Sequence, residues 1–257
     1  MKKEEISIIT VCYNSENTIQ ETFESLLNQS DLDFEYIIVD GNSKDNTLNL
    51  IKEYKKKFEE KKIRFRYISE KDEGIYDAMN KGINLAEGCI IGILNSDDCY
   101  EKNTIKIVKE QMLGKKEMIL HGKMNLLLEN GEKKTKVPKL LKSKYLNFGM
   151  IFFHPTFFVT KDIYIKIGGF NKHFRVAGDF DFTYRAYKNN IKFKYLDFIF
   201  TNFRLGGEST NNSNIGFEEC KAVLINNGKN KIFINALFNY KKLKTKLYNN
   251  FLLKDKI

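Results

Sequence analysis

Prolines, paired cysteines and long apolar runs are scarce or missing in this sequence. Only two prolines, Pro138 and Pro155, occur among 257 residues, and no low-complexity tract is present, which predicts a folded chain without long disordered segments. The four cysteines form no C-x-x-C pair and no metal-ligand spacing, so we interpret them as reduced thiols. No segment approaches the roughly 18 apolar residues of a membrane-spanning helix, and no apolar h-region follows the charged amino terminus. These absences predict a cytoplasmic protein without a signal peptide.

Basic residues outnumber acidic residues by 43 to 33, which gives a formal net charge of +10. A charge of this sign suits nucleic acid, an anionic membrane surface or a phosphorylated substrate. No RNA-binding or helix-turn-helix signature accompanies the lysines, so we predict no nucleic-acid partner and favour the other two. A chain of 257 residues has room for one large α/β domain and a small appendage.

Apolar β-branched runs alternate with amphipathic segments near the amino terminus. Strands are predicted at 6–12, 34–39 and 63–69, with one helix between each pair of strands. This β-α-β-α-β order predicts a parallel sheet with right-handed crossovers. A third helical pattern begins at Ile75 and is predicted to end near Gly88 as its C′ residue.

The fourth apolar run, at 90–94, stops at Asn95-Ser96-Asp97-Asp98. Ligands of open α/β sheets bind beyond the carboxyl ends of the strands, and Mg²⁺ typically takes one or two protein carboxylates together with phosphate oxygens. The pair of carboxylates therefore predicts either a cation site for a phosphorylated substrate or a solvated turn. The turn after the first strand, at 13–17, lacks glycine, which excludes a dinucleotide-binding fingerprint, and no P-loop is present.

Four ordered segments resemble the family 2 glycosyltransferases with a GT-A fold. They are Ile8 to Asn14, Ile38 to Thr47, Gly74 to Gly82 and Leu94 to Asp98. The resemblance implies a Rossmann-like, three-layer α/β/α GT-A domain at 1–210 with a mostly parallel central sheet, followed by a C-terminal helical extension at 211–257. It also implies an inverting hexosyltransferase that moves a sugar from a nucleotide-diphosphate donor, with uridine inferred from the family alone. The sugar is expected to go to a hydroxyl group of a glycan or of a lipid-linked molecule in surface polysaccharide biosynthesis.

The same resemblance assigns donor-site roles. Asp97 ligates the metal, Mn²⁺ or Mg²⁺, and Asp98 assists it or contacts the ribose. Because Asn95 replaces the first Asp of the family's D-x-D motif, the choice of direct ligand between Asp97 and Asp98 stays open. Two residues beyond the third strand, Lys71 and Asp72, are further donor candidates, although Lys71 is equally explained as a solvated surface lysine. The remaining residues predicted to bind the donor nucleotide are Thr10, Tyr13, Asp40, Asn80 and Ser96.

The second half of the chain supplies the candidates for acid–base chemistry and the acceptor side. By motif, Asp179 is the catalytic base, although Gly178 stands where the family's pattern has a second acid. An Asp at a helix start is also favoured as a cap, so a structural role for Asp179 is the alternative. Asp181 is the substitute candidate, and His154 is an acceptor-side candidate whose alternative is a packed core histidine.

The tail from Lys229 to Lys254 has Phe233, Leu237 and Tyr240 at helical spacing with lysines among them. Such a helix either lies on an anionic membrane surface, which would place the enzyme at the inner face of the membrane, or packs against the domain. Two other functions stay open. The departures at Asn95 and Gly178 permit a catalytically inactive, sugar-nucleotide-binding scaffold, and a nucleotidyltransferase on a related sheet would need a Gly-rich loop after the first strand.

Overall fold

The computed structural model describes residues 5–128, 131–206 and 212–254, and these form nine strands and eight α-helices. The strands are β1 (Ile6–Cys12), β2 (Glu35–Asp40), β3 (Arg64–Ser69), β4 (Ile90–Ile93), β5 (Cys99–Tyr100), β6 (Met118–Leu127), β7 (Lys133–Lys136), β8 (Phe158–Thr160) and β9 (Lys192–Arg204). The helices are α1 (Ile19–Leu27), α2 (Thr47–Glu60), α3 (Ile75–Leu85), α4 (Thr104–Met112), α5 (Lys161–Ile167), α6 (Gly178–Lys188), α7 (Ser213–Asn226) and α8 (Lys231–Lys254). Two short 3₁₀ helices lie at Ser143–Phe148 and His154–Thr156.

The predicted parallel arrangement is confirmed in the first half of the sheet. The strand order is β3-β2-β1-β4-β8-β6-β9-β5, with β7 paired to β6, and the first four of these strands run parallel. Cys12 lies opposite Asp40, and Asp40 lies opposite Ser69, so the carboxyl ends of β1, β2 and β3 are level. The segments that follow these strands and β4 therefore meet at one edge of the sheet.

Alternating side chains place one apolar core on each face of the sheet. Ile8 and Ile38 point toward α1, α2 and α4, where Phe23 and Phe58 fill the first core. Their neighbours Ile9 and Ile37 point to the opposite face and join the second core, which α3, α5 and α6 cover. This period of two, in strands buried on both faces, produces a three-layer α/β/α arrangement.

The C-terminal helices α7 and α8 pack on the second core. Val223 and Leu224 on α7, and Ile234 and Phe238 on α8, are buried in that core. The helical nature of the extension is confirmed, whereas the boundary between 1–210 and 211–257 stays a prediction. No α-helix in the three described ranges is both long enough and apolar enough to cross a membrane.

The largely apolar run at 152–159 has the composition of a strand, but most of it lies outside the sheet. Residues His154–Thr156 form a 3₁₀ turn, and only Phe158–Thr160 belong to the sheet. Pro155 explains the difference, because proline has no N–H for a sheet ladder and is well tolerated in the first turn of a helix. β6 and β7 pair antiparallel, and residues 129–130 between them lie outside the described residues.

Gly88 lies in the connection between α3 and β4, but it is not the predicted C′ residue. The helix ends at Leu85, and Ala86 is its C-cap. The Gly88 N–H donates to Ser7 Oγ at 2.8 Å, and a Cβ added at Gly88 would lie 2.7 Å from the backbone nitrogen of Ser7. Glycine is required here because the connection passes directly against the β1 backbone.

We predict that Gly88→Ala lowers the free energy of unfolding by about 2 kcal/mol, because backbone atoms of β1 cannot move aside as a flexible side chain can. Urea denaturation of the two proteins measures the difference. The matched control is Asn84→Ala at an exposed position of α3, for which we expect a change within about 0.5 kcal/mol. Equal stability of Gly88→Ala and the control would contradict the close approach.

Candidate functional site

A cavity of about 1150 Å³ opens at the edge of the sheet where the carboxyl ends of the parallel strands meet. Its walls come from segments that are distant in sequence, namely the turn after β1, the start of α3, the turn after β4, the 3₁₀ turn at 154–156, the start of α6 and the end of β9. Six of the residues predicted for the site line it: Tyr13, Asp72, Ser96, Asp97, His154 and Asp179.

The structure gives the two adjacent carboxylates different environments. Asp97 is half-buried and lines the cavity. Asp98 is fully buried, and both of its carboxylate oxygens accept hydrogen bonds within the protein. The Arg204 N–H donates to Asp98 Oδ1 at 3.0 Å, and the Asn95 amide donates to Asp98 Oδ2 at 3.3 Å. Asp98 therefore joins the turn after β4 to the end of β9, and of the two carboxylates only that of Asp97 lines the cavity.

Burial dominates the electrostatics of this pair. It raises the pKa of Asp97, while the positive charge of Arg204 acts in the opposite direction. Burial also raises the pKa of Asp98 well above its usual range, and the neighbouring charge of Asp97 raises it further. Two carboxylates with poor access to water favour a nearby cation, because a cation stabilises their charged forms.

The oxygen atoms present fit a hard divalent cation. Asp97 offers a carboxylate, and Asn95, which also lines the cavity, has a buried amide oxygen without a hydrogen-bond partner among the described residues. Carboxylate and amide oxygens are suitable ligands for Mg²⁺ and similar ions. Within the described ranges, no group of three or more His, Cys, Asp or Glu residues could enclose a metal. A cation at Asp97 would therefore take its remaining ligands from a bound phosphate and from water.

Other predicted donor residues support the cavity wall from behind. Thr10 is fully buried and accepts a hydrogen bond from the Tyr36 hydroxyl at 2.9 Å. Asp40 is also fully buried, and its carboxylate accepts hydrogen bonds from the hydroxyls of Ser43 and Ser69. Both side chains lie behind the cavity lining and form hydrogen bonds within the fold, and their contact with the donor stays a prediction.

Asn80 and Lys71 also lie outside the cavity lining. Asn80 pairs with the backbone of Phe170 in both directions, with its amide oxygen accepting from the N–H and its amide nitrogen donating to the carbonyl, each at 2.8 Å. Asn80 thereby fastens α3 to the turn after α5. Lys71 is exposed, which agrees with the alternative of a solvated lysine.

The exposed face of the cavity is formed by Tyr13, Asp72 and Ser96. The Tyr13 side chain is 61% exposed, so its ring is accessible to a bound molecule. Asp72 is half-buried and accepts the Gly74 N–H at 2.9 Å, and Ser96 Oγ lies 2.9 Å from Ser15 Oγ. These three residues offer an aromatic ring, a carboxylate and a hydroxyl on one side of the cavity.

Asp179 lines the cavity from the first turn of α6. The N-cap of this helix is Ala177, so Asp179 is not the N-cap, although its Oδ1 accepts the Phe180 N–H at 2.7 Å. Burial raises the pKa of Asp179 to about 6, and the charge of Glu219 raises it as well, while the hydrogen bond from the Phe180 N–H and the proximity of the Tyr76 hydroxyl lower it. A carboxylate with this pKa can accept a proton near neutral pH and release it again.

The position of Gly178 explains why the second acid of the predicted pair is missing. A Cβ at Gly178 would lie 2.7 Å from ring carbons of Tyr76. The Tyr76 hydroxyl donates to the Val176 carbonyl at 2.5 Å, which fixes the ring in this place. An acidic side chain has no room beside Tyr76, so the departure at this position follows from packing.

The two acceptor-side candidates have different surroundings. Asp181 is buried and forms an ion pair with Arg185 at 2.8 Å, so it supports α6 and does not line the cavity. His154 lines the cavity and packs against Phe157 and Phe170 at ring distances of 5.5 and 5.6 Å. Burial lowers the pKa of His154 to about 4, so its ring is neutral at physiological pH.

Several residues of the site have no sequence motif that would have identified them. Arg204, at the end of β9, lines the cavity and contacts Asp98 across 106 positions of the sequence. Lys172 and Glu73 form an ion pair at 2.6 Å, and both line the cavity. Glu219 on α7 accepts hydrogen bonds from the backbone that precedes Asp179.

Comparison with known proteins agrees with this geometry. The model of glycosyl transferase family 2 matches residues 7–168. The chain is 30% identical to the hyaluronan synthase of Pasteurella multocida over 243 residues, which cover 91% of this chain and 24% of that protein. It is also 30% identical over 186 residues to the PGL/p-HBAD biosynthesis glycosyltransferase of Mycobacterium bovis (strain BCG / Pasteur 1173P2), covering 71% of this chain and 70% of that protein.

The chain spans about a quarter of the length of the hyaluronan and chondroitin synthases that it matches, at 24% and 22%. Among solved structures, Staphylococcus aureus TarS (residues 1–349) in complex with UDP-GlcNAc is similar, with a TM-score of 0.65 and 22% identity over 91% of this chain and 70% of that chain. This similarity confirms the predicted GT-A fold. The family match and the relatives at 30% identity show that the chain belongs to glycosyltransferase family 2.

Proposed function

We propose that this chain is an inverting, metal-dependent glycosyltransferase that moves a sugar from a UDP-linked donor to a hydroxyl of a glycan or lipid-linked acceptor. The observation that carries the proposal is the placement of two carboxylates, Asp97 and Asp179, in the lining of one cavity at the carboxyl ends of the parallel strands. Uridine is supported by the UDP-GlcNAc complex of TarS, and a surface polysaccharide product by the synthases among the relatives.

The two carboxylates suit different parts of the reaction. Asp97, with the amide oxygen of Asn95, would hold Mn²⁺ or Mg²⁺, and a bound cation supplies positive charge to the departing diphosphate. Arg204 and Lys172 line the same cavity, and each forms an ion pair with a carboxylate, that of Glu21 and that of Glu73. Tyr13 offers an accessible ring against which the base of the nucleotide can stack.

Asp179 is the proposed general base. It accepts the proton of the acceptor hydroxyl while the hydroxyl oxygen forms its bond to the anomeric carbon. The bond between the anomeric carbon and the diphosphate oxygen breaks, and its electron pair leaves with the nucleoside diphosphate. Direct displacement of this kind inverts the anomeric configuration. The presence of Asp179 in the lining of the same cavity as Asp97 favours an active enzyme over an inactive scaffold.

We also propose that an anionic membrane surface binds one face of the molecule, at the cytoplasmic side of the membrane. On α8, Ile234 and Phe238 dock the helix on the core, whereas Ile232, Phe233 and Tyr240 are 81%, 54% and 64% exposed. The exposed lysines of this helix include Lys242 and Lys244. Apolar side chains interleaved with lysines suit an interfacial helix on anionic lipid.

The loop before the first 3₁₀ helix has a similar composition. Leu140 and Leu141 are exposed there between the exposed Lys139 and Lys142. The 3₁₀ helix that follows this loop contacts α8, since the Lys241 ammonium donates to the carbonyl of Phe148. A lipid-linked acceptor would then share a surface with the enzyme.

We predict that Asp97→Asn loses the Mn²⁺-dependent part of UDP binding, because the amide keeps the shape of the carboxylate without its charge. Turnover should fall by about 10²-fold or more. Calorimetric titration of UDP with Mn²⁺ or with EDTA measures the first effect. Asp197→Asn removes an exposed carboxylate on β9 and is the control, with binding expected as in the wild type. Metal-dependent UDP binding by Asp97→Asn would contradict the assignment.

We predict that Asp179→Asn binds UDP as the wild type does, within about twofold, but loses roughly 10³-fold in turnover because no base remains. In the wild type, activity should rise with pH through about 6, since Asp179 acts only when deprotonated and its pKa is raised to about 6. UDP release from a panel of UDP-sugars measures turnover and its pH dependence, and calorimetric titration measures UDP binding. Unchanged turnover in Asp179→Asn would exclude it as the base.

For the membrane surface, we predict that Lys242→Gln with Lys244→Gln weakens binding to vesicles containing phosphatidylglycerol by roughly tenfold or more, at about 1 kcal/mol for each lysine. Vesicle sedimentation measures the partition. Lys52→Gln with Lys56→Gln changes two exposed lysines of α2 and is the control. Equal binding of the two double variants to these vesicles would count against the proposed face. So would equal binding of the wild type to neutral vesicles and to vesicles that contain phosphatidylglycerol.

A further inference from the structure

Glu219 on α7 binds the backbone that leads into α6. Its Oε1 accepts the Arg175 N–H, and its Oε2 accepts the N–H groups of both Val176 and Ala177, each at 2.8 Å. Three successive N–H groups of the segment before α6 are thus directed at one carboxylate, in the manner of the anion sites that successive backbone amides create.

The same backbone is held from its other side by α3. The Tyr76 hydroxyl donates to the Val176 carbonyl at 2.5 Å, and the Tyr76 ring packs against Gly178. Residues 175–178 therefore lie between Glu219 and Tyr76, and Asp179 is the next residue. Movement of either contact changes the direction in which the Asp179 carboxylate points.

We propose that Glu219 is a positioning residue of the active site, through which the C-terminal extension holds the 175–178 backbone so that Asp179 faces the bound substrates. This inference rests on the proposed role of Asp179 as the base. Glu219 itself lies outside the cavity lining, so it acts through Asp179 and not on the substrates. The C-terminal extension would then be required for turnover without contacting the substrates.

The charge of Glu219 affects the pKa of Asp179, which a contact that only stabilises the fold would not do. The charge of Glu219 contributes to the raised pKa of Asp179. The other ionisable groups around Asp179 are Tyr76 on α3 and Cys220 on α7, and Lys241 on α8 lies near Cys220. Removal of the Glu219 charge leaves these groups in place, so the pKa of Asp179 should fall.

The test compares Glu219→Gln, Glu219→Asp and Glu218→Gln. We expect Glu219→Gln to lose about tenfold or more in kcat with an unchanged KM for the donor, because a misplaced base affects the chemical step. The midpoint of its pH profile should move below that of the wild type. Glu219→Asp should restore the midpoint but not all of kcat, because it has the charge on a shorter side chain. Glu218→Gln, at an exposed neighbouring position, should match the wild type.

A role in stability alone would lower the melting temperature of Glu219→Gln and leave the kcat of the folded fraction and its pH midpoint unchanged, and that result overturns the proposal. A readout independent of turnover is the carbon-13 NMR titration of the Asp179 carboxyl group. If the wild type transfers no sugar from any UDP-sugar, the proposed function fails, while a lower Asp179 pKa in Glu219→Gln still supports the contact. Should Glu219→Gln not fold, fast hydrogen exchange of the 175–177 amides in the wild type would contradict the proposal, and strong protection would support it.

Discussion

The hydrogen bond from the Arg204 N–H to the buried carboxylate of Asp98 is the contact on which the site depends. It joins the turn after β4 to the end of β9, two segments that are 106 positions apart. The other oxygen of Asp98 accepts from the Asn95 amide, so both oxygens of this buried carboxylate have partners within the protein. Of the two adjacent carboxylates, only that of Asp97 lines the cavity.

The opposite wall depends on contacts of the same kind. The segment before Asp179 has no regular structure of its own, and it is fixed by Tyr76 from α3 and by Glu219 from α7. In both walls, a hydrogen bond with a distant part of the chain fixes a short loop, and a carboxylate next to that loop lines the cavity. Buried polar contacts suit this purpose because their loss leaves unsatisfied groups and is costly.

Sequence patterns predicted those features of the fold that depend on residues close together in the chain. The strands β1, β2 and β3 and the helix α3 follow from apolar periodicity, and the exit of β4 was identified by its two carboxylates. The different environments of Asp97 and Asp98 could not be predicted, since the burial of Asp98 depends on its hydrogen bond with the distant Arg204 N–H. The burial of Asp40 likewise depends on Ser69, and the missing acid at Gly178 depends on the Tyr76 ring. Such partners are set by tertiary packing, which spacing along the chain does not reveal.

The central claim is that Asp97, and not Asp98, holds a cation that bridges to a diphosphate. A crystal soaked with UDP and MnCl₂, with diffraction data collected at the manganese absorption edge, tests it most directly. The account predicts an anomalous peak about 2.1 Å from a carboxylate oxygen of Asp97, with diphosphate oxygens completing its coordination. Bound UDP without a manganese peak at Asp97, or a peak coordinated by Asp98 in its place, would contradict it.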